Sequence, residues 1–136
     1  FAVQALKVSD IVVLGHAQCG GIRAAVAEDQ EPLSPGDFIG KWMSLITPAI
    51  EELGPRRDKS MTDYLRDLEL ASVATTLKNL RTFPCVRILE ERGKLKLHGA
   101  FFGVATGVLS VLDEATGEFR PVLDKPGRVF SCAPVA

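Results

Sequence analysis

Hydrophobic and polar positions change their period twice along this chain, and each change predicts a different element. Residues 11–14, Ile-Val-Val-Leu, are an unbroken apolar run rich in β-branched side chains that stops at Gly15, as a buried strand entering a turn does. Residues 22–27 then read as a short helix, and residues 28–37, with Pro32, Pro35 and Gly36, as a polar loop. Over residues 38–53, Ile39, Trp42, Met43, Ile46 and Ile50 recur every three or four positions, which predicts one helix ending at Gly54-Pro55. Residues 56–59 are a charged, solvated loop. Ser60 and Asp63 resemble a capping box, and the helix they open carries Leu65, Leu68, Val73, Leu77 and Leu80 on one broad face. Phe83-Pro84 breaks it, and Pro84 suits the first turn of another short helix that ends at Gly93.

In the last third the period shortens. Residues 94–98 alternate as a strand with one buried face does, and residues 108–112 form a second strand. Joined by residues 99–107, the two are expected to pair antiparallel at a sheet edge. Residues 113–117 form a turn leading into Glu118, Phe119 and Arg120, and the proline-bearing tail, residues 121–136, receives no assigned element. Residues 1–6 read as the end of a helix already under way. No internal repeat, low-complexity segment or dividing linker interrupts the chain, so residues 1–136 are taken as one domain.

Composition narrows the function classes. The 136 residues, 46% of them hydrophobic, suffice for a single core. A formal net charge of −1 offers no electrostatic footing for nucleic acid or an anionic membrane. No stretch approaches the roughly 20 apolar residues that cross a bilayer. The chain opens on Phe1 rather than methionine and is read as a fragment, so a signal peptide is not observable. Three scattered cysteines do not make a disulfide framework and suit a reducing compartment, which points to the cytoplasm.

The chemistry concentrates where the first strand ends, in Gly15-His16-Ala-Gln-Cys19-Gly20-Gly21. An imidazole and a thiol three positions apart, at a turn opening into a helix, can converge on one zinc ion. Such a strand end is also where open α/β sheets place their sites. Gly15, Gly20 and Gly21 permit a close backbone approach to an ion or substrate, and a helix N-terminus favours a thiolate at Cys19. The plainer alternative is a polar turn with a capping histidine and a small buried cysteine. A backbone phosphate site and a cysteine nucleophile with His16 as base are two further readings of the same residues. The first lacks a following lysine and any glycine-rich nucleotide motif; in the second, Arg23 stands too close to Cys19 for a phosphatase loop and is more simply an exposed helix charge. Zinc needs at least three protein donors. Cys85, at a helix start, and Cys132, in the tail, are the remaining thiols, while His98 on its strand reads as a ring satisfied by hydrogen bonds. Trp42 and Tyr64, on helical faces, read as core.

The block Val12-Val-Leu-Gly-His16-Ala-Gln-Cys19-Gly-Gly21 resembles that of the β-class carbonic anhydrases. Thr76-Leu-Lys-Asn-Leu80, Phe83-Pro-Cys-Val86, Glu91-Arg-Gly-Lys-Leu-Lys-Leu-His-Gly99 and Thr106-Gly107 follow in matching order. The resemblance implies an α/β fold with a mostly parallel sheet flanked by helices, a homodimer or higher homo-oligomer, and the zinc-dependent, reversible hydration of carbon dioxide to bicarbonate. It implies His16 and Cys19 as zinc ligands, with Gly20 and Gly21 bordering the substrate pocket. The family's remaining ligand is a cysteine in a C-x-D-S-R strand whose aspartate and arginine orient the zinc-bound species, and no such motif occurs in this chain. Where many relatives carry an aromatic-aspartate pair, this chain has Phe102-Gly103. The expectation is therefore two of three ligands, no orienting acid–arginine pair, an unpartnered strand edge, and a chain inactive by itself. The alternative is a non-catalytic dimerising scaffold with an incomplete zinc site.

Overall fold

The apolar run at the front of the chain becomes strand β1 (Asp10–His16), whose burial alternates residue by residue. Ile11, Val13 and Gly15 point under the helices, whereas Val12 and Leu14 remain about 60% exposed on the opposite face. The structure, a computed structural model, describes residues 1–27 and 38–122. β1 pairs in parallel with β2 (Lys96–Gly103), with Ile11 opposite Leu97 and Gly15 opposite Phe101. β2 pairs antiparallel with β3 (Val108–Asp113), and β3 antiparallel with β4 (Glu118–Pro121), in the order β1-β2-β3-β4. The α/β character is present, with the parallel pairing at β1 and β2 and the two antiparallel pairings beyond. The outer edge of β1 has no strand beside it among the described residues.

Between β1 and β2 the chain crosses over through helices α1 (Gly20–Ala25), α2 (Phe38–Met43), a 3-10 turn (Ser44–Ile46), α3 (Thr47–Leu53), α4 (Met61–Arg81) and α5 (Pro84–Glu91). The single helix expected over residues 38–53 is therefore interrupted. Pro48 sits in the first turn of α3, where its missing N–H is harmless. Inside a continuous helix it would have lost a hydrogen bond and crowded the preceding turn. Gly54, at φ +73°, ends α3 as expected. α4 opens on the expected cap, with the Asp63 N–H donating to Ser60 Oγ at 3.0 Å.

Helix α4 lies across one face of the sheet and organises two apolar clusters. Ile22, Ala49, Leu65 and Leu68 pack its first half against α1 and α3. Leu77, Val86, Leu95 and Leu97 pack its second half against α5 and the sheet. Between the clusters, Val73 wedges against two strand glycines. A Cβ on Gly15 would stand 2.6 Å from Val73 Cγ2, and one on Gly99 would stand 3.0 Å from Val73 Cγ1. This corrects the reading of residues 99–107 as a connection: β2 continues to Gly103. Gly99 is there because α4 and Leu112 press on the strand, not because the strand ends. The true connection is residues 104–107, closed by Gly107 at φ +68°.

Residues 1–6 make one turn, closed by the Ala5 N–H on the Phe1 carbonyl at 2.8 Å, rather than a continuing helix. The expected polar loop at 28–37 and the tail from 123 lie outside the described residues. Among the described residues no helix is long and apolar enough to cross a membrane.

Candidate metal centre

His16 ends β1, and the ladder runs one residue further because the Ala17 N–H donates to the Phe102 carbonyl at 2.9 Å. The chain then reverses through Gln18, a non-glycine residue in the left-handed region at φ +58°. Cys19 follows in extended geometry at the N-cap of α1, its carbonyl accepting from the Arg23 N–H at 3.1 Å. The thiol of Cys19 makes no capping hydrogen bond. The His16 ring is oriented locally. Its Nδ1 lies 3.0 Å from the Ala17 carbonyl, which can only accept, so Nδ1 is the donor in this bond and Nε2 is left for the cavity. That is the arrangement a metal-ligating histidine needs.

His16 and Cys19 open onto one cavity of about 440 Å³ between the end of β1, α1, α2 and α4. Val13, Leu14, Ile22, Leu45 and Ile46 give it largely apolar walls, and Glu69 and Thr75 are polar groups on its α4 side. Trp42, expected in the core, instead borders this cavity with 68% of its surface exposed, because α2 is a short helix with little packed against it. Tyr64 does behave as core: it is buried, and its hydroxyl donates to the Gly54 carbonyl at 3.0 Å.

The other candidates separate cleanly. Gly21 lines the cavity, while Gly20 lies outside its lining. A Cβ on Gly20 would meet nothing within 4 Å, and one on Gly21 would rest at ordinary contact distance, 3.7 Å from Cys19 Sγ and 3.6 Å from Met43 Sδ. The close approach belongs to Gly15, and it is toward Val73. His98 is satisfied as expected, its Nε2 donating to Asp10 Oδ1 at 2.8 Å. The Ser9 hydroxyl, and then His98, hold the Asp10 carboxyl below the usual aspartate value. Cys85 packs against the Leu77 and Val86 cluster and does not reach His16 and Cys19. Arg23 is exposed, as expected, and Cys132 lies outside the described residues.

Glu69 has no place in the reading from sequence, yet it is 5% exposed and its Oε1 accepts the Cys19 N–H at 2.9 Å. Its signal was present. It falls four residues after Leu65 and four before Val73, a carboxylate set into the apolar stripe of α4.

An imidazole and a thiol at one cavity are donors of the kinds zinc takes. They are two where three are required, and no group of three or more histidine, cysteine, aspartate or glutamate side chains able to hold a metal occurs among the described residues. The donors present fit zinc as far as they go, and the described residues do not complete the set.

The sequence matches the carbonic anhydrase family model over residues 1–109. It is 31% identical to carbonic anhydrase 1 of Escherichia coli O157:H7 over 128 residues, which cover 93% of this chain and 57% of that protein. It is 33% identical to a carbonic anhydrase of Pseudomonas aeruginosa over 129 residues, covering 93% and 56%. Among solved structures, the β-carbonic anhydrase CcaA superposes with a TM-score of 0.77 at 23% identity, covering 89% of this chain and 59% of that one. One of the tetrameric β-carbonic anhydrases of Sordaria macrospora superposes with a TM-score of 0.68 at 27% identity, covering 82% and 56%. Fold and strand-end motif thus define a carbonic-anhydrase-like α/β unit. This chain belongs to the carbonic anhydrase family, in its β class. It spans somewhat over half the length of the curated relatives it matches.

Proposed function

We propose that this chain contributes the histidine–cysteine corner and the apolar cavity wall of a zinc-dependent enzyme interconverting carbon dioxide and bicarbonate. One observation carries the reading: His16, with Nδ1 tied to Ala17 and Nε2 left open, and Cys19 share a single, largely apolar cavity. Apolar walls suit carbon dioxide, which has no charge to solvate. Zinc, when bound, lowers the pKa of a coordinated water to about 7 and so supplies hydroxide near neutrality. The chain's own residues orient the imidazole, present the thiol and line the cavity, with Gly21 beside Cys19. Relatives described as tetrameric support self-association, and the exposed face bearing Val12, Leu14, Phe102, Leu109 and Val111 is apolar enough for a second copy. Free cysteines at 19 and 85 keep the cytoplasmic reading as part of the proposal.

With two donors in place of three among the described residues, the chain alone is expected to hydrate carbon dioxide no faster than the uncatalysed reaction. A stopped-flow hydration assay on this chain with zinc supplied tests that expectation. Enzymatic turnover that disappears in His16→Ala would overturn the inactivity and would mean that a further donor completes the site. A non-catalytic dimerising scaffold is the second reading, favoured by the lack of a third donor among the described residues. Metal analysis of the purified chain separates the two: zinc held through His16 and Cys19 supports the enzyme portion, and a metal-free dimer supports the scaffold.

A further inference from the structure

We propose that Glu69 is the positioning residue of the metal corner, holding Cys19 in place through its backbone N–H. The inference rests on reading Cys19 as a ligand, but its structural core stands without metal. The turn from Gly15 to Cys19 meets α4 at both of its ends: at the strand end Val73 makes the close approach with the Glu69 backbone beside it, and at the helix end the partner is the Glu69 side chain. At the strand end, the Glu69 carbonyl lies 3.7 Å from where a Cβ on Gly15 would be. At the helix end, Glu69 Oε1 accepts the Cys19 N–H at 2.9 Å.

A charge-assisted hydrogen bond to a buried carboxylate is stronger than one between neutral groups, and less exposed to competition from water. Here it plays the part that an N3 glutamate plays in a capping box, accepting the N–H of the N-cap residue itself. Serine, threonine, aspartate or asparagine normally occupies an N-cap and satisfies the first helical N–H groups with its own side chain. Cys19 makes no such bond, so its side chain is left for the cavity, while its own N–H is held by a carboxylate of α4 from fifty residues away in sequence. The arrangement frees the thiol from structural duty and still fixes the atom from which it projects. Glu69 is 5% exposed and lines the same cavity, and no donor other than the Cys19 N–H meets its carboxylate among the described residues. A buried carboxylate with one backbone partner is costly to keep for packing alone.

The test compares Glu69→Gln, whose amide oxygen can still accept, with Glu69→Met, of similar length and unable to. Thr75→Val serves as a control at an equally buried polar position on the same helix. Residue-resolved amide exchange on the metal-free chain is the first readout. Glu69→Met is expected to speed exchange at Cys19 by at least about tenfold while leaving Val13 and Gly15 protected, since only a local hydrogen bond is lost. Glu69→Gln is expected to restore most of the protection, and Thr75→Val to leave it unchanged.

The second readout is a cobalt(II) titration followed by the thiolate-to-cobalt charge-transfer absorption. If the wild-type chain shows that band, Glu69→Met should weaken cobalt binding about 10- to 100-fold, the range usual for groups that orient ligands, with Glu69→Gln in between. Unchanged Cys19 exchange in Glu69→Met would overturn the proposal. So would a Glu69→Gln variant no better than Glu69→Met, or exchange that accelerates throughout β1, which would make Glu69 a strut of the whole fold. A wild-type chain without the thiolate band would instead sink the zinc reading, and the exchange comparison would still decide whether Glu69 holds the turn.

Discussion

Both faces of the sheet carry large apolar residues, and these have opposite fates. On the face beneath α4, Leu97 and Phe101 are buried and Val73 from the helix enters the spaces left by Gly15 and Gly99. On the other face, Val12, Leu14, Phe102, Leu109 and Val111 run across three strands and each is more than a third exposed. Hydrophobic character therefore marks a surface that wants cover, and only packing shows which surface has it. The metal corner lies where the two meet. His16 belongs to the open face by its place in β1, while Cys19 packs beside the covered cluster of Ile22 and Leu68. One donor is anchored in the core and the other stands at its border.

Adjacent phenylalanines give the sharpest way to break this contrast. Phe101 is 1% exposed, meets Phe119 edge-on at 6.2 Å, and carries the Arg66 guanidinium 3.8 Å above its ring. Phe101→Ala is expected to cost about 3–5 kcal/mol in urea-induced unfolding, through lost burial and the cavity left behind. Phe102, one residue on and facing the other way, is 38% exposed. Phe102→Ala is expected to cost below about 1 kcal/mol in the isolated chain. Equal losses would mean that the open face is covered after all, by self-association under the conditions used, and a concentration-dependent midpoint would reveal it.

The glycines repeat the contrast on a smaller scale. Gly15→Ala drives a methyl group to within 2.6 Å of Val73, a β-branched side chain with little freedom to turn aside. It is expected to cost about 1–3 kcal/mol. Gly21→Ala places its methyl at ordinary contact distance and replaces a poor helix former, so thermal unfolding should show a change of less than about 1 kcal/mol, in the stabilising direction. A Gly21→Ala chain as damaged as Gly15→Ala would show that the turn after Cys19 is as tight as the strand before it.

What the sequence makes legible follows the range of the interaction. The strand at residues 11–14, the cap at Ser60, the apolar stripe of α4 and the stops at Gly54 and Pro84 depend on near neighbours, and each is where its pattern places it. His16 and Cys19 stand three residues apart, so their shared cavity was readable from spacing. The break at Pro48 in the helix expected over residues 38–53 is local, but the differences around the site involve partners distant along the chain. Gly99 looked like a connection because the helix that demands it is some twenty-six positions away, at Val73. Trp42 looked like core because amphipathic spacing cannot say whether anything packs on a short helix. Glu69 goes unremarked in the sequence because its partner, Cys19, lies fifty residues earlier.

A smaller loss than that of Phe101→Ala or Gly15→Ala is expected at a tie at the far end of the covered face. Arg81, at the end of α4, donates from Nε to Glu90 Oε2 at 2.9 Å and from Nη1 to Glu114 Oε2 at 2.7 Å. It thereby joins α4 to α5 and to the turn between β3 and β4. The hydrogen bonds from Arg81 hold the Glu90 carboxyl below its ordinary value of 4.5, and they and the bonds to Glu114 push the guanidinium's own pKa higher still. A carboxylate whose folded pKa is depressed adds stability that is present above its unfolded value and is lost as pH falls through the folded one. These side chains are about a third exposed, so water and salt discount the network, and Arg81→Ala is expected to cost about 1 kcal/mol near neutrality. The gap between wild type and Arg81→Ala should then narrow as pH drops below 4.5 and Glu90 takes up its proton. Thermal unfolding of both chains in parallel down the pH scale measures it. A gap that stays constant into the acid range would assign the contribution of Arg81 to the packing of its aliphatic stem, leaving the sheet's covered face secured by apolar contact alone.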